Sequence, residues 1–164
     1  MPIIASEIQY RLSGGAANAD AMLSLGGIIS STAAPAGLFD TIVGAESAAG
    51  DVEYRCFYVR NGNATLALQN PALFIQANTA SADTQVAVGL GTSAVNVAEQ
   101  TVANESTAPT GVTFSEPATL AAGIALGSIP AGQFRAVWLR RTINVAAAAS
   151  NDTYNLRVTG DTAA

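Results

Sequence analysis

The sequence contains no histidine and no lysine, and only one cysteine, Cys56, and one tryptophan, Trp138. Each absence removes a class of chemistry. Without histidine, neither a Ser-His-Asp nor a Cys-His arrangement can be assembled, and zinc sites built on imidazole are gone as well. One cysteine excludes an internal disulfide and any multi-cysteine metal site. Charge is scarce too: Asp, Glu, Lys and Arg make up 12% of the chain, about half the usual quarter for globular domains. All seven cationic residues are arginine, against twelve acids, for a net charge of −5. An acidic, lysine-free chain lacks the clustered positive charge that a phosphate backbone requires, so no nucleic-acid partner is expected. No apolar run approaches the length of a membrane span, and no membrane partner is expected. Residues 1–12 (MPIIASEIQYRL) lack the basic start and long apolar stretch of a signal peptide, which implies synthesis in a cytoplasm without Sec export.

What is present is aliphatic and neutral. Hydrophobic residues reach 49% while aromatics are only 6%, so the core must be built from small and branched side chains. A length of 164 residues suits a single domain over residues 1–164 with a core of its own. The densest stretch is residues 50–68, GDVEYRCFYVRNGNATLAL. Val52, Tyr54, Cys56 and Tyr58 alternate with Glu53, Arg55, Phe57 and Val59, a period of two in β-branched and aromatic residues that predicts a strand. Asn61-Gly62 follows, then a second alternating run over residues 64–68, and an Asn-Gly pair in that position predicts a β-hairpin. Cys56, between strand aromatics, is expected as a small buried hydrophobe.

Along the rest of the chain the same signals recur. Residues 3–12 read as an extended arm or a first strand, with Ile3, Ile4, Ile8 and Tyr10 as its apolar members, and residues 13–20 as a Gly/Ala-rich loop. Residues 23–29 predict a strand bent at Gly26-Gly27. Residues 44–50 suit one helical turn, too short to stand alone. Asn70-Pro71 marks a break, residues 72–77 and 84–90 predict strands, and residues 78–83 a polar turn between them. Residues 104–111 read as an exposed loop. Alanine content allows a helix over residues 118–126, with Gly123 against it. A turn at residues 129–132 leads into a second long strand at residues 134–145, FRAVWLRRTINV, and residues 153–159 close the chain as a strand. About eight to ten short strands with turns between them, and little helix, define an all-β fold, a β-sandwich or jelly roll.

No chemistry-bearing motif emerges from this pattern. Asp51 and Glu53 stand two apart and can share a strand face, as Asp40 and Glu46 could after folding, and paired carboxylates are what glycosidases use. Arginines on neighbouring strands are the more economical partners, with Glu53, Arg55, Arg140 and Arg141 as the structural ion-pair candidates. The glycine pairs sit in no phosphate-loop frame, and the aspartates lack the dense spacing of a calcium loop. Trp138 on an apolar strand belongs to a core, although with Tyr54 and Tyr58 it also offers rings on which a sugar could stack. Glycosylation-type triplets at Asn63, Asn104 and Asn151 carry no weight without export. No catalytic residue, cofactor or metal is expected.

The segments YRLSGGAANAD (residues 10–20), SLGGIIS (24–30), LFDTIVGAESAAGDVEYRCFYVRN (38–61), VGLG (88–91) and IPAGQFRAVWLRRT (129–142) resemble small structural proteins of tailed bacteriophages. The resemblance runs through nearly the whole chain in order, without a catalytic motif to anchor it. It implies a capsid decoration, or cement, protein of β-sandwich or jelly-roll fold, located on the capsid exterior of the virion. Its partners would be the major capsid protein and further copies of itself, as a dimer or trimer. The first residues, 1–20, would then form an arm and loop that order on docking, with Ile3, Ile4, Ile8 and Tyr10 as capsid contacts. A tail or head-tail connector component, or a carbohydrate-binding module used in host adsorption, are the competing expectations.

Overall fold

Alternation of apolar side chains builds the long strands of the chain. The computed structural model describes residues 2–78, 83–148 and 152–162. Its strands are β1 (Ile8–Leu12), β2 (Gly26–Gly27), β3 (Asp51–Asn61), β4 (Leu68–Asn78), β5 (Thr84–Leu90), β6 (Glu99–Thr101), β7 (Phe114–Ser115), β8 (Ile124–Ala125), β9 (Phe134–Ile143) and β10 (Tyr154–Thr162). One short helix, α1 (Gly44–Ala49), precedes β3. The principal sheet runs β1-β3-β9-β5-β7, a second runs β10-β4-β8, and β2 and β6 form a ribbon. Every pairing is antiparallel. The fold is an all-β sandwich.

Neither face of β3 or β9 is polar because the principal sheet is covered on both sides. On one face Phe57, Val59, Val137 and Leu139 meet Leu68, Leu73, Ile75 and Val158 of the three-stranded sheet. On the other, Cys56, Tyr58, Ala136 and Trp138 are roofed by Leu25, Ile29, Val102 and Val112 from the ribbon and its flanking loops. Each fully buried aliphatic or aromatic side chain contributes roughly 1.5–3 kcal/mol of transfer free energy. That double burial explains why both alternating sets of residues on these strands are rich in apolar side chains.

Several expectations are corrected by the tertiary pairing. The hairpin does not form: β3 and β4 belong to different sheets, and residues 62–67 carry the chain between them. A two-residue Asn-Gly hairpin turn needs positive φ at both residues, and neither Asn61 nor Gly62 has it. Asn61 instead ends a buried strand, its side-chain amide donating to Leu66 O at 2.8 Å and Ile129 O at 2.9 Å. Gly62 serves close approach, since a Cβ there would meet Gln9 Nε2 at 2.6 Å. Asn70-Pro71 is no break but lies inside β4, with Asn70 at φ 47° and an irregular register opposite, between Thr159 and Asp161. An irregular ladder tolerates the missing proline N–H.

The predicted strand at residues 23–29 shrinks to the glycine pair. Leu23 falls in a 3-10 turn, Ala21–Leu23, and the register shifts between Gly26 and Gly27. Gly26 sits at φ 97°, where an added Cβ would strike Gln100 O at 1.8 Å. The expected helix at residues 118–126 is a 3-10 turn, Leu120–Ala122, followed by β8, which pairs with β4 through Ala72 and Leu73. The helical turn before β3 and the turn at residues 129–132 are present, and the strands expected at residues 84–90, 134–145 and 153–159 are realised as Thr84–Leu90, Phe134–Ile143 and Tyr154–Thr162. Most of the turn expected at residues 78–83, and Asn151, lie outside the described residues.

Of the two readings of residues 3–12, an arm or a first strand, the strand is realised from Ile8 onwards. Residues 8–12 are built into the principal sheet, pairing with β3 from Ile8–Asn61 to Leu12–Phe57. Tyr10 packs its ring 6.0 Å from that of Phe57, and its hydroxyl accepts the Val158 N–H at 3.1 Å. Ile3 and Ile8 pack on the core, and Ile4 alone of the four arm residues is exposed, at 52%. The strand reading wins here because β3 offers an open edge to an alternating partner.

Candidate functional site

Charged side chains collect at the end of the sandwich where β3 begins and β9 ends. The ladder sets Glu53 opposite Arg141, and Arg141 Nε donates to Glu53 Oε2. The rest of that guanidinium turns to the loop before α1, where Nη1 reaches Asp40 O at 2.6 Å and Nη2 reaches Asp40 Oδ1 at 3.1 Å. Arg55, fully buried, donates to Glu105 Oε2 from the loop after β6 and to Tyr54 O at 3.1 Å. The Phe39 ring takes both cations, with the Arg141 guanidinium 4.8 Å and the Arg55 guanidinium 5.6 Å from its centroid. Cation–π contacts of this kind strengthen where water is excluded.

Glu53 is the most confined carboxylate of the group. Its side chain has no exposure, and Oε1 has no hydrogen-bond partner. Burial pushes its carboxyl up from the ordinary value, Arg141 opposes that rise, and the charges of Asp40 and Glu105 add to it. Two carboxylate triads meet on it. One oxygen each of Asp40, Glu53 and Glu105 lie within 4.8 Å of one another, and the same holds for Glu46, Asp51 and Glu53. A hard, oxygen-preferring cation is what such donor sets can hold.

The expected ion pairs are therefore realised in part. Glu53–Arg141 forms as the ladder requires. Arg55 finds Glu105 rather than Glu53 or Asp51. Arg140 is a correction: among the described residues no carboxylate pairs with it, and its guanidinium instead lies 5.3 Å from the Phe114 centroid. It projects to the opposite face of β9 from Arg141, away from the acids. Phe39 and Glu105 were not legible as members because loops deliver them.

A second buried network lies on the ribbon side. Glu99, nearly fully buried, accepts from the Ser93 N–H at 2.9 Å, the Ser93 hydroxyl at 2.8 Å and the Thr92 hydroxyl at 2.9 Å. Burial alone would push this carboxyl up, but the Ser93, Thr92 and Gln100 donors outweigh it and hold it down at about 2. The Tyr58 hydroxyl accepts the Glu99 N–H at 2.8 Å and donates to Gly27 O. Burial pushes this phenol up, and does the same to the Cys56 thiol. Trp138 and Tyr58 have no exposed ring face, so two of the three rings of the carbohydrate expectation are core, while Tyr54 is partly buried with its ring 5.5 Å from that of Phe114.

An apolar cleft of about 300 Å³ opens between β1 and β10, lined by Tyr10, Pro35, Leu38, Phe57, Tyr154 and Leu156. Among the described residues, no helix is long and apolar enough to cross a membrane. Compared with protein-family models, with curated proteins and with solved structures, the chain has no match in any of the three.

Proposed function

We propose that this chain is a non-enzymatic virion structural protein, a capsid decoration protein that binds the major capsid protein shell and stabilises it. The supporting observation is where its apolar surface lies. Large aliphatic side chains stay about half exposed or more at Ile4, Leu23, Ile28, Val43, Val97 and Val145, all outside the strands. Single exposed aliphatics are ordinary, but together with so few charged residues they supply dry contact area for neighbours. The thiol, the indole and the Tyr58 phenol are meanwhile spent inside the fold.

A cement protein works by adding contact area across capsomer boundaries. Each bound copy shifts the equilibrium towards the intact shell, and many weak copies sum to a large effect. A rigid sandwich with contacts on its loops suits that task, and self-association into a dimer or trimer would cover edge strands. The test is co-sedimentation of purified protein with mature capsids that lack it. Saturable, stoichiometric binding that raises the temperature of DNA release is expected, and Leu23→Ser with Ile28→Ser should weaken it without lowering the melting temperature. Binding to tail tubes alone would move the protein to the tail or connector class.

A further inference from the structure

Glu53 belongs to two carboxylate triads, and only one is neutralised. Asp40 and Glu105 have Arg141 and Arg55 as ion-pair partners. Glu46 and Asp51 have no such partner among the described residues, yet one oxygen of each lies within 4.8 Å of the other and of a Glu53 oxygen. In each of these three carboxylates one oxygen is used internally. Glu46 Oε2 accepts the Val43 N–H at 2.8 Å, Asp51 Oδ1 accepts the Val52 N–H at 2.7 Å, and Glu53 Oε2 accepts from Arg141. The other oxygen of each has no donor among the described residues. For Glu53 this is a separate and stronger observation, because Oε1 is shut off from water on a fully buried side chain. A buried acceptor without a partner calls for an explanation, an ion among them.

The chain is shaped to bring these groups together. Asp51 and Glu53 are two residues apart on β3 and so share a face. Glu46 comes from α1, folded back by Gly50 at φ 73°, whose N–H closes on Glu46 O at 2.7 Å. Ca²⁺ binds oxygens at about 2.3–2.6 Å, so two of its ligands stand at most about 5 Å apart. The triad meets that limit. Mg²⁺ demands a tighter octahedron, and softer metals prefer imidazole or thiolate, which this site does not offer. We propose that Glu46, Asp51 and Glu53 form a calcium site at the α1–β3 junction, with water completing the shell, that pins α1 to the principal sheet. This does not depend on the capsid reading.

The test uses the full chain, stripped with a chelator, in calorimetric titration with CaCl₂ and in thermal melts with CaCl₂ or MgCl₂. One Ca²⁺ per chain is expected, with an affinity in the range of about 10⁻⁴–10⁻³ M typical of weak sites, and a melting temperature that rises more with CaCl₂ than with MgCl₂. Asp51→Asn and Glu46→Gln both retain the acceptor for their backbone N–H. Each should weaken binding at least tenfold while leaving the calcium-free melt unchanged or raised, since a repelling charge is removed. Absence of both heat and melting shift overturns the proposal. So does a shift that survives both substitutions, or stabilisation by acid alone with no response to CaCl₂, which would mean that a proton meets Glu53 Oε1.

Discussion

Glu53 and Arg141 face each other directly across the β3–β9 ladder, and both are buried. Such a pair is costly to break and cheap to replace, because the desolvation of two charges nearly cancels their attraction. Arg141→Leu leaves Glu53 buried without its cation and should cost about 3–5 kcal/mol. Adding Glu53→Leu should restore most of the loss. Urea unfolding of the two single variants and the double variant measures this. Additive losses would show that the pair is not coupled.

Glu53 and Glu99 should tilt the pH dependence of stability in opposite directions. The depressed Glu99 carboxyl contributes stability that is complete above its unfolded value near 4.5 and is lost as pH falls towards about 2, on the order of 3 kcal/mol. The raised Glu53 carboxyl has the opposite sign: its contribution is full below the unfolded value and is lost as pH rises through the folded one. Glu99→Gln should therefore flatten the acid limb of stability, and Glu53→Gln should raise stability at neutral pH relative to pH 4. Denaturant melts between pH 3 and 8 read both, and identical profiles for the two variants would contradict the assignment.

Tyr10 ties the first strand to the second sheet through its hydroxyl and Val158. Tyr10→Phe keeps the ring against Phe57 and removes only that bond, so a loss of about 1 kcal/mol is expected. Hydrogen exchange should rise at Val158 in the same variant. An unchanged exchange rate there would mean that the bond does not persist in solution.

Cys56 should be inert in the folded protein. It has no exposure, and burial raises its thiol, so the reactive thiolate is suppressed. A thiol reagent should modify the protein only in denaturant, at a rate set by unfolding. Prompt labelling of native protein would place the thiol at the surface.

Removing residues 1–6 separates docking from folding. β1 begins at Ile8 and keeps its ladder to β3, so the truncated chain should still fold, with a melting temperature lowered by the loss of Ile3 from the core. Capsid binding should fall if exposed Ile4 contributes, as the capsid reading holds. Normal binding by the truncated chain would remove the N-terminal residues from the contact.

Alternation by itself determined much of this protein. The two-residue period in FRAVWLRRT and VEYRCFYV placed both long strands, put Cys56 and Trp138 in the core, and aligned Glu53 and Arg141 on ladder faces, because a pleated backbone has one geometry for side chains. The composition excluded histidine-based chemistry outright. What alternation does not carry is the identity of a strand's neighbour. Asn61-Gly62 has the letters of a hairpin, but burial of the Asn61 amide between residues 66 and 129 sends the chain to another sheet. The partners of Arg55 and Arg140 were equally hidden, since Glu105, Phe39 and Phe114 arrive from segments far along the chain. Only the fold brought Glu46 back onto Asp51 and Glu53, through one left-handed glycine. Asp51 and Glu53 share their face by spacing alone, whereas the return of Glu46 to them is a property of the turn at Gly50.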